Sequence, residues 1–595
     1  MSDDSSTDRP VNGYGGQSER KTEKYNGKHH RDTNVTAGID EGHTVGAGRL
    51  AAVPLEELIY HANEQRRKYD MHSIKSGGKA RNRWFKFFDN DFGPQHPDNV
   101  LIESNNPNAR LTQAENEQIA ARAEFEADKA DARRRLRTAS WGMMFYLITT
   151  DVIGPFNAPY AFSTVGFVGG ILLYLTFGVA AYYSSFLVLN LYLRVDSDRY
   201  PVQSYGELME CFFGVWGNYI VSIVQVVQIL FVVGSNVIAN AQSMTELTQP
   251  HGPLCFVVSI IIWTAIGFII SVPFRSLAKL SFLASFNVFI NLIIIFISMG
   301  FIAHSAPNYY SASQAYGFKP PYAPVELSAT GVGALSNQVN GAMNMVFGWS
   351  GIMIFVEFMN EMRKPFEFVK SFTFAEMLVF CVYIVYGCYV YGLQGQYTLP
   401  VAFQGVSKYS WQSVGNGLSL WTYTMASVTY LNIAVKVLYW FIFGNLFRGP
   451  PLMSKMGFIY WTVLQLAAWI ISFIIGTAIP QVQTIQALVG AACLLQFSYT
   501  WPPLMQLAYD VYADASKGDG VWHPLNGPAY RDSWRSLSRW RRGLFTGKVW
   551  FKAINFLYFL AALATCGLGI WGSVLTIQST FAHSPATSFG CNAPV

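Results

Sequence analysis

Apolar runs recur between residues 138 and 577 with short polar intervals, and none occurs in the first 137 residues. A transmembrane helix needs about 20 consecutive, mainly apolar residues. Eleven segments meet that length, at 139–163, 167–193, 217–245, 254–273, 280–303, 336–360, 372–393, 419–444, 456–479, 484–510 and 551–577. The pattern predicts an all-α membrane domain of eleven transmembrane helices over 138–577, with a polar N-terminal tail (1–137) and a short C-terminal tail (578–595). Residues 1–50 hold almost no aliphatic side chains. They cannot bury enough surface to offset the entropy of ordering and are expected to be disordered. Residues 54–69 open on a proline and place Leu55, Leu58, Ile59 and Ala62 on one face, which predicts a short helix. A second, charged helical pattern at 110–137 ends in Arg133-Arg134-Arg135-Leu136-Arg137. Trp84-Phe85-Lys86-Phe87-Phe88 is expected to pack against the tail or the inner loops, with docking on the membrane surface as the alternative.

Two of the spans are interrupted. Residues 147–166, LITTDVIGPFNAPYAFSTVG, place Asp151, Gly154 and Pro155 in mid-span. In a helix glycine costs about 1 kcal/mol and proline about 3 kcal/mol relative to alanine. In lipid a break is tolerated only where it is buried in protein or lines a cavity. A carboxylate at that depth costs roughly 2.5 kcal/mol or more. Residues 344–353, NMVFGWSGIM, place Gly348, Ser350 and Gly351 in the middle of the sixth span. An offset of five spans gives the second break the opposite orientation. Two interrupted spans at matching positions of inverted halves point to a transporter's central site. The halves are spans 1–5 and 6–10, with span 11 peripheral. Trp501-Pro502-Pro503 in the tenth span is read as a kink.

Composition supports the membrane reading: only 13% of the 595 residues are charged, against about 25% in soluble globular proteins, and mean hydropathy is +0.22. The net charge of +5 becomes informative once it is placed along the chain. With the N-terminus inside, the inner loops carry sixteen Lys and Arg, whereas the outer loops and outer C-terminal tail carry two, Lys319 and Lys408. That bias satisfies the positive-inside rule and places the N-terminus in the cytoplasm and the C-terminus outside. The sequon Asn34-Val35-Thr36 then never meets the glycosylation machinery. The seven cysteines form no CxxC pair and are read as small apolar packing residues. All ten histidines lie in the tail or loops, which argues against the usual integral-membrane enzymes. There is no Walker A sequence, no charge ring of a channel and no nucleic-acid motif.

IGPFNAPYAFSTVGFVGG in the first span and FGWSGIMIFVEFMNEMRKP in the sixth carry a resemblance to the amino acid/auxin permease family, most closely its fungal neutral amino acid permeases. The resemblance covers about 138–577 and leaves out the tail. The chain departs from many members in lacking a second glycine where Pro155 or Phe156 stands. The resemblance implies a 5+5 inverted repeat of the LeuT-like type, with broken helices 1 and 6, and inward carriage of amino acids with a coupling ion, usually H⁺.

An α-amino acid offers a carboxylate to helix N-termini and an ammonium to unwound carbonyls. In the first span the expected donors are the amides near Phe156, Asn157 and Ala158, and the carbonyls those near Val152, Ile153 and Gly154. Phe347, Gly348 and Gly351 are their counterparts in the sixth. Asp151 is the leading proton-coupling candidate, since low dielectric favours its neutral form; the alternative is a carboxylate satisfied by neighbouring hydroxyls. Glu357 is either a coupling group or an interfacial one. Lys436 either snorkels to the inner surface or serves as a fixed cation between spans 1 and 8, paired with Asp151. Asn157 is a Na⁺ ligand if sodium is the coupling ion. Gln225, Gln228, Thr429 and Asn432 are read as pocket groups or interhelical hydrogen bonds.

The expected function is import of neutral L-amino acids across the plasma membrane by H⁺ symport, without a cofactor. A Na⁺-coupled carrier, an amino acid sensor on the same fold and a vacuolar location are the alternatives. Lipid is the solvent partner. Tail lysines Lys21, Lys24, Lys28 and Lys68 are expected ubiquitin sites for trafficking adaptors.

Overall fold

The computed structural model describes residues 50–75, 137 and 139–591, apart from short gaps that include 153–154, 444–449, 524–526 and 584–588. The expectations for residues 1–49, the Trp84–Phe88 patch, the pattern at 110–136, the sequon, and Lys21, Lys24 and Lys28 lie outside the described residues. So do the side chains of Lys68, Asp151, Val152 and Ser350.

The described chain is helical almost throughout. In order it forms α1 (Leu55–Lys75), α2 (Trp141–Val152), α3 (Ala158–Val195), α4 (Tyr205–Thr248), α5 (Phe256–Ser271), α6 (Leu277–Ala303) and α7 (Tyr309–Tyr316). There follow α8 (Leu335–Phe347), α9 (Phe355–Glu361), α10 (Phe368–Gln394), α11 (Tyr409–Tyr439), α12 (Lys455–Ala478), α13 (Val482–Val489) and α14 (Trp501–Ala515). A hairpin of β1 (Gly520–His523) and β2 (Gly527–Ala529), then α15 (Leu537–Phe545) and α16 (Val549–His583), complete it. Eight helical stretches among the described residues are long and apolar enough to cross a membrane, and α5 is a shorter apolar helix. Among the described residues the eleven predicted segments fall mainly on helix.

The first two predicted spans meet within α3, which turns sharply at Gly166 (φ 77°). That left-handed conformation suits glycine. A Cβ there would also lie 2.6 Å from the backbone of Thr330, because the amides of Phe167 and Val168 donate to the carbonyls of Ser328 and Ala329 in the loop before α8.

Packing sorts the spans into two groups. Helix α3 packs on α8 and on α10, which also packs on α2, and α4, α5, α11 and α12 form a second set. α6 lies between them, touching α2 and α11. Tightly packed apolar side chains run through both groups as one core.

The predicted tail helix is present and longer than its sequence pattern. Leu55, Leu58 and Ala62 are buried as the apolar face requires, against the membrane domain. Its polar side is engaged too: Tyr200 donates to Glu57 at 2.5 Å, the Asp198 amide to Gln65 at 2.6 Å, and Arg66 to the Leu193 carbonyl at 3.0 Å. Just upstream, the amides of Leu50 and Ala51 each donate to Glu210 Oε1 at 3.0 Å. Leu58→Asp would bury an unpaired carboxylate, at several kcal/mol. It is expected to release α1 and speed trypsin cleavage at Arg66 and Arg67 about tenfold in solubilised protein. Cleavage at the wild-type rate would mean that the docking contributes little.

Two corrections concern local chemistry. Cys255 and Cys591 are not packing residues: they form a disulfide across 336 residues. Backbone bonds from Phe256 to Cys591 (3.0 Å) and from Phe589 to Thr477 (3.2 Å) tie the C-terminal tail to α5 and α12. The tenth span, read only as proline-kinked, is unwound earlier into π-turns at Gly490–Leu494 and Gln496–Thr500. Pro502 and Pro503 fall in the first turn of α14, where a missing N–H costs nothing.

Candidate functional site

The first interrupted segment leaves α2 at Val152, passes a 3₁₀ turn at Pro155–Asn157 and re-enters helix at Ala158. Asn157 occupies the N-cap of α3, yet its side chain makes no cap hydrogen bond. It reaches across instead, donating to Gln486 Oε1 on α13 at 2.7 Å. The amides of this helix start carry the positive end of the helix dipole. Phe156 is buried beside them, with its ring 5.2 Å from Phe403 and 6.0 Å from Tyr423. Ala158 is fully buried. Ile153 and Gly154 lie outside the described residues.

The second interrupted segment ends α8 at Phe347, and a 3₁₀ stretch at Ser350–Ile354 leads into α9. Gly348 caps α8 by donating to the carbonyls of Asn344 and Met345 at 3.3 and 3.1 Å. Two carbonyls freed by the unwinding are met by side chains: Ser498 donates to that of Trp349 at 3.3 Å, and Gln225 to that of Met353 at 3.1 Å. Gly351 is buried.

One short helix joins the two breaks. Asn344, in the last turn of α8, donates to the Gln483 carbonyl at 3.3 Å, one turn before the Gln486 that receives Asn157. α13 thus holds the ends of both interrupted spans through two asparagines. Aromatic rings close the space around them. Tyr383 of α10 abuts Gly348, and Tyr423 of α11 lies within electrostatic range of Tyr383 and Tyr386. Asn344, Gln486, Tyr383 and Tyr423 were not singled out from the sequence. Asn344 begins the very NMVFGWSGIM run that marked the break, and a polar residue in so apolar a helix was the available signal.

At the Ala139 end the two broken spans are zipped together. The Ala139 amide donates to the Glu361 carbonyl at 3.1 Å, and the Arg363 amide to the Ala139 carbonyl at 3.0 Å. Lys436 pairs with Glu361, Nζ to Oε1 at 3.9 Å, so α11 is fastened to the end of α9. Its sequence-based pairing with Asp151 concerns a side chain outside the described residues. Glu357 turns into protein and accepts from Gln225 Nε2 at 2.9 Å and from the Tyr205 amide at 3.5 Å. Glu357 Oε2 is shielded and has no hydrogen-bond partner among the described residues. Thr429 and Asn432 are used structurally, donating to the carbonyls of Met425 (2.9 Å) and Phe274 (2.5 Å).

The family model described as transmembrane amino acid transporter protein matches residues 137–518. The chain is similar to an N amino acid transport system protein of Neurospora crassa, 22% identical over 476 residues that span 79% of this chain and 92% of that one. It is also similar to a transmembrane transporter of Gibberella moniliformis, 23% identical over 398 residues spanning 66% of this chain and 80% of that one. Among solved structures it is similar to Mhp1, a nucleobase-cation-symport-1 family transporter in a closed conformation with bromovinylhydantoin bound. There the identity is 14%, the coverage 76% of this chain and 95% of that one, and the TM-score 0.45.

Proposed function

The chain belongs to the transmembrane amino acid transporter protein family, and from that premise we propose that it imports neutral amino acids across the plasma membrane by H⁺ symport. The observation that carries the reading is the joining of both interrupted spans to α13 through Asn157 and Asn344. It sets the positive end of one helix dipole near an unwound segment of the other interrupted span, the two features an α-amino acid's ends require. The rings of Phe156, Tyr383 and Tyr423 suit an uncharged side chain. Asp151, Glu357 and Lys436 are the coupling candidates among the ionisable groups on or beside the broken spans, where Glu361 also lies.

With the N-terminus cytoplasmic, the Ala139–Glu361 zipper and the Lys436–Glu361 pair stand at the inner mouth, closed in this conformation. The same orientation places Cys255 and Cys591 outside, in an oxidising compartment where disulfides persist. In intact cells a membrane-impermeant maleimide is therefore expected to label these two cysteines only after external reduction. Labelling that requires permeabilisation would reverse the orientation.

The deciding experiment is uptake by proteoliposomes of one labelled neutral amino acid under an inward H⁺ gradient or an inward Na⁺ gradient. Unlabelled amino acids compete at two pH values. Accumulation driven by H⁺ and competed by neutral amino acids supports the proposal. Accumulation that needs Na⁺ assigns the coupling to sodium and raises Asn157 as its ligand. Binding without accumulation in either gradient makes the protein a sensor.

A further inference from the structure

A carboxylate outside the two broken spans has a proton inventory that an ionised group does not fit. Glu376 lies on α10, about 12 Å in from its start at 1.5 Å per residue. Its Oε1 is 2.7 Å from Ser185 Oγ on the facing α3, and that hydroxyl is also 2.9 Å from the carbonyl of Ala181. A serine hydroxyl has one hydrogen. If Glu376 were ionised, Ser185 could serve only one of two acceptors. If Glu376 carries a proton, every contact closes: the carboxyl donates to Ser185 Oγ, and Ser185 donates to Ala181. Glu376 Oε2 is shielded from solvent and has no hydrogen-bond partner among the described residues. A charge left half-satisfied at that depth is costly.

Among the described residues the surroundings supply no compensating cation. From α3, Tyr182 bonds to Thr373, one turn before Glu376. From the π-turn stretch, Tyr499 lies within electrostatic range of Glu376, with its hydroxyl bonded to the Phe177 carbonyl. From α16, Tyr558 bonds to the Ala180 carbonyl and contacts Ser184. From α6, Ser298 pairs with Tyr386 further along α10. From α2, Thr149 bonds within its own helix, and the Asp151 side chain lies outside the described residues. No Lys, Arg or His among the described residues forms an ion pair with Glu376.

We propose that Glu376 is a proton-carrying carboxyl of the transport cycle, protonated in this conformation and held by Ser185 between α3 and α10. This rests on the H⁺-symport reading and adds a group to it. The link to the substrate is physical. Tyr383, which abuts Gly348 at the second break, stands seven residues along α10 from Glu376, on the same helix face. A shift of α10 as the break fills or empties would move both. Parting α10 from α3 would break the Ser185 contact and admit water to Oε2, releasing the proton.

The test compares wild type with Glu376→Gln in proteoliposomes, measuring gradient-driven accumulation, substrate-induced proton movement and exchange of labelled for unlabelled amino acid. Glutamine keeps the shape and a donor to Ser185 but carries no exchangeable charge. Accumulation and proton movement are expected to fall at least about tenfold, and exchange by less than about threefold. Wild-type accumulation with unchanged pH dependence overturns the proposal. So does equal loss of exchange and accumulation in correctly inserted protein, which would make Glu376 structural. Should Glu376→Gln fail to insert, Ser185→Ala carries the test: a shifted pH profile of uptake supports the proposal and an unchanged one overturns it. Infrared difference spectra of purified wild-type protein provide a readout without transport, since a protonated-carboxyl band must respond to Ser185→Ala. If wild type moves no amino acid in any gradient, the symport reading fails, while the infrared band still decides whether Glu376 holds a proton.

Discussion

Gly348→Val is expected to abolish amino acid uptake while leaving the protein in the membrane. Gly348 has ordinary helical φ and ψ (−64°, −17°), so the requirement for glycine is one of space. A Cβ added there would lie 2.8 Å from a ring carbon of Tyr383 and 3.3 Å from the Met345 carbonyl. Tyr383 cannot easily retreat. It is buried, and Tyr174 packs behind it with ring centroids 5.6 Å apart. Forcing extra methyl groups into such a contact costs about 1–3 kcal/mol, or more when neither side can move. The strain falls on the point where α8 ends, so the end of the helix and the carbonyls beyond it would shift. A displacement of about 1 Å in a positioning element can cost about 100-fold in rate. Gly348→Ala is expected to be intermediate, and Gly348→Val combined with Tyr383→Ala to recover part of the loss. Initial rates of labelled uptake, normalised to surface protein, are the measurement. Wild-type rates in Gly348→Val would remove the second break from the transport site.

What could be read from the sequence followed local rules. Among the described residues each apolar run of spanning length is mainly helical, because lipid leaves a lone segment few other ways to satisfy its backbone. The interruptions at 155–157 and 348–354 could be located because glycine and proline act through their own backbones. The buried face of α1 was likewise a matter of 3.6-residue periodicity. What escaped notice depends on partners far away in the chain. Asn157 looked like a backbone amide donor to substrate or a sodium ligand, yet its side-chain hydrogen bond goes to Gln486, 329 residues on. Nothing local in Cys255 or Cys591 tells of the other, since their pairing depends on where the last helix delivers the tail. Glu376 passed as one polar residue in an apolar span, because its meaning lies in Ser185 on another helix. The loop at 511–550 showed only as positive charge, whereas its hairpin, α15 and ion pairs form a structured cap below α14 and α16.

That cap supplies the largest expected effect on stability. Lys552 near the start of α16 and Asp514 near the end of α14 are both buried, and Lys552 Nζ lies 2.5 Å from Asp514 Oδ2. The same ammonium donates to the carbonyls of Gly543 and, at 2.9 Å, of Thr546. Asp514 also pairs with the partly exposed Lys517 at 2.6 Å. Two neutral carbonyls hydrogen-bond an ammonium but cannot neutralise it. Asp514→Ala therefore leaves a buried positive charge with no ion-pair partner among the described residues, only the more distant Asp510, and removing one partner of a buried pair costs about 3–5 kcal/mol. The loss should appear as a lower melting temperature of the solubilised protein. Lys517→Ala, which removes only the outer charge, should cost no more than about 1 kcal/mol. Replacing both partners by apolar residues of similar volume, Asp514→Leu with Lys552→Met, is expected to restore most of the stability, since it removes the stranded charge along with the attraction. An Asp514→Ala protein that melts with wild type would show that water reaches Lys552. The join between the tenth and eleventh spans would then rest on the apolar packing of α14 against α16.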